Sequence, residues 1–190
     1  MSTLTNSLKQ RLRDGDEPLY GLWLSLGSDS AAEALAHAGY DWLCIDMEHA
    51  PNDSRDVASQ LRAAAFGMRR DYLQTANAQV AVIVQVESAR GVDEVERIAA
   101  TPGVDCLFVG PADLAASLGH LGDIRHPDVE TAMARVLAAG KQAGVAVGIF
   151  AGDTAAARQY REAGYRMITV SADVSWLLRA TRQALQEVRS

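Results

Sequence analysis

Glu87 closes the apolar stretch 81–87, and Asp113 follows the apolar stretch 106–112. In a strand over 81–87 the side chains alternate, so Ile83, Gln85 and Glu87 share one face while Val82, Val84 and Val86 cover the other. The two acids are about one strand-helix-strand repeat apart, which sets both carboxylates side by side at one rim of a parallel sheet, where such folds keep their chemistry. An oxygen pair of this kind suits a hard divalent cation such as Mg²⁺ or Mn²⁺.

A second charged cluster, Asp46, Met47, Glu48, His49, Ala50 and Pro51, also follows a short apolar run. His49 is the natural acid-base residue, because imidazole exchanges protons near neutral pH and a carboxylate such as Asp46 can fix its tautomer. A solvated loop histidine beside helix-capping acids is the competing explanation. Gly110, Pro111 and Ala112 let the backbone approach a ligand, and the short helix after them offers N–H groups to an anion such as a carboxylate. Asp113 equally suits the N-cap of that helix. Glu87 suits an ion pair at the sheet rim, and Gln85 either orients a ligand or satisfies a buried backbone group. Three acid-bearing strand ends on one rim favour a shared site over three separate structural uses. His37, His120 and His126 are expected at the surface.

The elements that must position these residues follow from one pattern that recurs four times, at 38–45, 102–109, 143–149 and 163–170. Each holds a glycine able to end a helix in the left-handed conformation, then a short apolar run fit for a strand buried on both faces. Helical patterns precede the stops at 29–38, 91–100, 126–143 and 153–163, with Pro127 in the first turn of the third. A first strand at 19–26, the Glu87 strand and a last helix at 174–188 complete six strands alternating with helices. That order predicts a parallel sheet with right-handed crossovers. A closed barrel of this type uses eight strands and typically about 250 residues, so two repeats are missing. The break falls near 62–66, where a helical pattern runs into a loop with no strand before Asp71.

The 190 residues are 48% hydrophobic with a mean hydropathy of −0.04, which predicts one soluble domain over 1–190. No membrane span or secretory signal is visible, so the cytoplasm is the expected location. A formal charge of −6 and a pI near 5.2 disfavour nucleic acid or an anionic membrane as partner. Cys44 and Cys106 lie inside apolar runs without paired spacing and are expected to be reduced core residues.

The segments holding Gly21 to Trp23, Asp46 to Asn52, Val84 to Ser88 and Phe108 to Ala115 resemble the HpcH/HpaI aldolase family, the class II pyruvate aldolases related to citrate lyase β-subunits. The resemblance implies a (β/α) TIM-type barrel of the pyruvate-aldolase type, here lacking about two β/α units, strands three and four. It implies reversible aldol cleavage of a 4-hydroxy-2-oxoacid, such as 4-hydroxy-2-oxoheptanedioate or a 2-keto-3-deoxy sugar acid, to pyruvate and an aldehyde. Glu87 and Asp113 would ligate Mg²⁺, Mn²⁺ or Co²⁺, and His49 with Asp46 would form the acid-base pair. The backbone of Gly110, Pro111 and Ala112 would hold the ketoacid carboxylate, Gln85 would lie near the metal, and Trp23 would line the pocket. A homo-oligomer is implied as well. The family's third strand carries an Arg that contacts the ketoacid oxygen; Arg69 and Arg70 do not match it. A catalytically impaired metal- or ketoacid-binding remnant, or a structural subunit, is therefore the alternative. The two lysines, Lys9 and Lys141, fall in predicted helices away from the strand ends, in line with a mechanism without a Schiff base.

Overall fold

The computed structural model describes residues 7–63 and 80–189. Six parallel strands, β1 (Leu19–Leu24), β2 (Trp42–Ile45), β3 (Ile83–Val86), β4 (Cys106–Val109), β5 (Ala146–Ala151) and β6 (Met167–Ala172), alternate with helices. These are α1 (Ser7–Asp14), α2 (Asp29–Ala36), α3 (Ser54–Ala63), α4 (Ala89–Asp93), α5 (Val95–Ala99), α6 (Pro111–Ser117), α7 (Pro127–Ala143), α8 (Thr154–Ala163) and α9 (Asp173–Arg189). The sheet order is β2-β1-β6-β5-β4-β3, a curled half-barrel whose edges, among the described residues, are β2 and β3. Direct pairing of β2 with β3, which would close the sheet into a tighter barrel, is not made in that order. Of the expected break at 62–66, residues 64–66 lie outside the described residues, as do Arg69 and Arg70.

The alternation of each strand divides the core into two layers. Outward side chains, including Leu107, Val109, Ile149 and Ile168, meet helices α4 to α8 in one apolar cluster. Each fully buried aliphatic chain there contributes about 1.5–3 kcal/mol relative to exposure. Inward side chains form a second, aromatic layer: Leu19, Trp42, Cys106, Phe108, Ala146 and Met167, with Trp23, Cys44 and Phe150 against them. Trp23 touches Trp42, Phe108 and Phe150 with ring centroids 6.2, 5.5 and 5.7 Å away. Gly21 makes this packing possible, because a Cβ there would stand 2.0 Å from the Trp42 ring.

Helix α1 seals the end of the half-barrel where the strands begin. Its Leu12 joins the inner layer, while Lys9 and Arg13 reach the Asp105 carboxylate at 3.2 and 2.7 Å. Asp105 also accepts the Val82 N–H at 2.9 Å, so one buried carboxylate ties the starts of β3 and β4 to the helix. Gly144 and Gly164 end α7 and α8 at φ 69 and 101, the left-handed stop that the repeated pattern predicts. The expected single helix over 91–100 is two short helices meeting at Glu94, whose φ −98 and ψ 7 leave the helical region.

Candidate active site

The opposite rim, where the strands end, encloses a cavity of about 520 Å³. Glu87 follows β3 directly, and Asp113 sits in the first turn of α6 immediately beyond β4. The two carboxylates converge. A Cβ placed on Gly110 would meet Glu87 Oε2 at 2.6 Å and Asp113 Oδ2 at 3.7 Å, so the glycine leaves open the space that both acids face. Gly110 is also the N-cap of α6, and it makes no side-chain cap bond. The N-cap role considered for Asp113 is thus filled by Gly110, three positions before it. Gln85 lies on the Glu87 face of β3 and donates to Glu87 Oε2 at 2.7 Å. Burial pushes the Glu87 carboxyl above the usual carboxylate range, the Gln85 bond opposes that, and the charges of Asp113 and Glu48 add to it.

The β2 end supplies the facing wall. Buried Asp46 accepts the main-chain N–H groups of Glu48 and His49 on Oδ1 at 2.9 and 3.0 Å, folding the turn that presents the His49 ring to the cavity. The ring itself lies 4.0 Å from Glu48 Oε2; Asp46 acts on the His49 backbone. Asn52 donates to Asp46 O at 2.6 Å and accepts from Gln60 of α3 at 2.7 Å, which anchors the turn to the helix behind it. Trp23 and Phe108 floor the cavity, and Pro111, Ala112 and Phe150 also line it.

Ser25 and Asp173, neither among the predicted site residues, also stand at this rim. Ser25 donates to Asp46 Oδ2 at 3.3 Å, and Asp173, at the start of α9, accepts the Ser25 and Leu26 N–H groups at 2.9 and 3.2 Å. Both follow strands directly, the one signal that could have found them. Cys44 lines the cavity and is only half-buried, so it is wall as well as core, while Cys106 is buried as expected. Burial pushes each thiol up to about 12, with the Asp46 charge adding to the effect at Cys44.

His37 is exposed at the end of α2, as expected. His120 and His126 are half-buried and stack at 3.4 Å, with His120 Nε2 3.0 Å from Asp128 Oδ2. With Asp128 they form a compact group of possible ligand atoms. His126 Nδ1 already accepts the Asp128 N–H at the start of α7, and the positive end of that 17-residue helix opposes a cation. None of the three lines the cavity.

A parallel half-barrel with acidic residues and a histidine at its strand ends places the chain among the α/β proteins that keep their sites at that rim. The sequence profile of the HpcH/HpaI aldolase/citrate lyase family matches residues 19–66 and 51–180, and the chain belongs to that family. It is 54% identical over 261 residues to the hydroxypyruvate/pyruvate aldolase of Paraburkholderia phytofirmans, covering 100% of both chains. It is 32% identical over 228 residues to the 5-keto-4-deoxy-D-glucarate aldolase of Klebsiella pneumoniae, covering 86% of this chain and 89% of that one. The crystal structure of an HpcH/HpaI aldolase/citrate lyase family protein from Burkholderia cenocepacia superposes with a TM-score of 0.93 at 72% identity, covering 98% of this chain and 100% of that chain. Among the described residues no helix is long and apolar enough to cross a membrane.

Proposed function

We propose that this protein is a divalent-metal-dependent class II aldolase that reversibly cleaves a 4-hydroxy-2-oxoacid to a pyruvate-type ketoacid and an aldehyde. The observation that carries this reading is the convergence of Glu87 and Asp113 on the opening beside Gly110, in a cavity that His49 also lines. The donor set fits a hard cation: two carboxylates, an adjacent amide at Gln85, and room between them that no side chain fills. Glu87 and Asp113 would hold Mg²⁺, Mn²⁺ or Co²⁺. When bound, such an ion supplies Lewis-acid stabilisation of negative charge on the ketoacid oxygens.

The chain's own residues do the rest. His49 moves a proton to or from the 4-hydroxyl of the substrate, held in place by the turn that Asp46 folds. Gln85 orients Glu87, Trp23 and Phe108 exclude water from below, and the main chain of Gly110 to Ala112 walls the ketoacid end. Neither lysine competes as a Schiff-base former: Lys9 is bound at the strand starts to Asp105 and Lys141 to the Ala163 carbonyl. The same reading makes the protein a cytoplasmic homo-oligomer of incomplete barrels, each a single domain lacking two β/α units between β2 and β3. The family match in two stretches that meet at 51–66, and an alignment of 261 positions against 190 residues, support such a loss.

The test is metal-dependent decarboxylation of oxaloacetate, which needs the same enolate stabilisation without an aldehyde. Activity lost with EDTA, restored by Mn²⁺ and absent in Glu87→Ala is the expected result. Trapping of pyruvate on Lys9 or Lys141 by borohydride would overturn the metal mechanism. A second reading, a metal- or ketoacid-binding remnant, is favoured by the β2 and β3 edges, which have no further strand beside them among the described residues. Mn²⁺ binding without turnover would select it.

A further inference from the structure

The loop between α6 and α7 holds a group of side chains set apart from the strand-end cavity. His120 and His126, half-buried where the sequence predicts surface residues, converge on Asp128 in the first turn of α7. The backbone fixes them. Gly119 and Gly122 flank His120 at φ 86 and 83, and the His120 N–H bonds to the Ala115 carbonyl at 2.8 Å. The Asp123 N–H then bonds to the His120 carbonyl at 2.9 Å and the His126 N–H to the Asp123 carbonyl at 3.2 Å. Asp128 Oδ2 stands 3.0 Å from His120 Nε2 and 3.6 Å from His126 Nδ1, and one ligand atom from each of the three lies within 4.8 Å of the others. Zn²⁺ binds nitrogen and oxygen at about 2.1 Å, so the edge of its tetrahedron is about 3.4 Å. The 3.0 and 3.6 Å distances bracket that edge.

The helix end opposes a cation with about half a charge, whereas the Asp128 carboxylate supplies a full one. Arg125, the neighbouring cation in sequence, is engaged by Glu130 at 3.9 Å and Gln159 at 3.1 Å. A hard ion such as Mg²⁺ seeks oxygen and gains nothing from imidazole, but a borderline ion gains from both rings and the carboxylate. We propose that His120, His126 and Asp128 form a second metal site, for a borderline divalent transition ion of the Zn²⁺ type, with water completing its coordination. The ion takes the His126 Nδ1 lone pair from the Asp128 N–H, a bond of 3.2 Å at an exposed helix start where water replaces it. The rings, parallel to within 13°, splay so that both lone pairs meet at one centre. Bound there, the ion ties the loop to α7 and braces the end of α6, the helix whose first turn carries Asp113. It takes no part in the carbon chemistry, and the site stands independently of the aldolase reading.

Glu87→Ala breaks the carboxylate pair at the strand ends and leaves this loop intact, so the EDTA-treated full chain carrying that substitution is the protein to titrate. Zn²⁺ is added against a chromophoric chelator while the four imidazole rings are followed by ¹H–¹⁵N NMR. One equivalent is expected to bind, shifting the ring signals of His120 and His126 and leaving those of His37 and His49 in place. His120→Ala and His126→Asn are then added singly, the second chosen because asparagine still caps a helix. Each is expected to weaken binding by at least the roughly tenfold typical of losing even an outer partner of a metal. Far-UV circular dichroism unchanged in both separates a lost ligand from a lost fold. No Zn²⁺ bound by Glu87→Ala, binding that shifts only His49, or an affinity that both histidine substitutions leave unchanged overturns the proposal. Equal shifts of His120 and His126 with Mg²⁺ at the same concentration overturn the choice of ion.

Discussion

Asp46 bonds to the backbone of the His49 turn on one oxygen and to Ser25 on the other, and this division sets what its loss should do. Asp46→Ala removes the acceptor that folds the turn, so decarboxylation or aldol turnover should fall by about a hundredfold. Asp46→Asn keeps one oxygen for the Glu48 and His49 N–H groups and should retain more. Far-UV circular dichroism should stay unchanged in both, and a matching loss of helix signal in Asp46→Ala would assign the effect to folding. Among the described residues Ser171 is the non-glycine residue held at a positive φ, 66, near the same rim. Replacing it with glycine relieves a conformation that costs an L-residue about 1–2 kcal/mol. Ser171→Gly should accordingly raise the melting temperature, and a lowered one would show that the serine hydroxyl matters more than the strain.

At the scale of elements, the Asp105 clamp makes a prediction with a defined pH sign. Burial alone would raise this carboxyl, but the Val82 N–H, Lys9 and Arg13 outweigh it and hold it below the usual range. A lowered folded value means the contribution is complete above the ordinary carboxyl range near 4 and is lost as pH falls through the lowered value. Asp105→Asn should cost about 3 kcal/mol in urea unfolding at pH 7, since it strands two cations beside a buried amide. The gap between parent and variant should narrow in acid, and a gap independent of pH would refute the ion-pair account. The elements themselves were legible because Gly144, Gly164 and their counterparts punctuate a strict alternation of helix and apolar strand. The candidate rim residues were legible by position: Glu87 directly follows β3, and His49 and Asp113 come within four residues of the ends of β2 and β4. What escaped was set by strand order: Ser25 meets Asp173 only because β1 lies beside β6, a contact between residues far apart in sequence that no local pattern encodes. The split of the 91–100 helix at Glu94 also left no mark in the helical spacing.

For the molecule as a whole, the edges at β2 and β3 dominate. Val82 and Ile83 are exposed beside or on the β3 edge, which has no further strand beside it among the described residues, and such an edge with apolar side chains invites pairing with other chains. The protein should therefore bind dyes that report exposed apolar surface and associate with rising concentration in sedimentation. With only about 5–15 kcal/mol of net stability typical of a domain, its turnover should fall well below that of a closed-barrel relative even at saturating Mn²⁺. A monodisperse, cooperatively melting monomer with full activity would refute both the open-seam and the impaired-site accounts.

The placement of the two lysines has a practical side. Lys9 contacts Asp105 and the Val80 carbonyl, and Lys141 lies against Ala163 and Gly164, so both side-chain amines sit where the strands begin. Lys9 is the less accessible, with 14% of its side chain exposed, so coupling to an amine-reactive resin through exposed Lys141 would orient the molecule with its cavity facing the liquid, and a catalyst bed made that way should keep its accessible sites without any engineered tag.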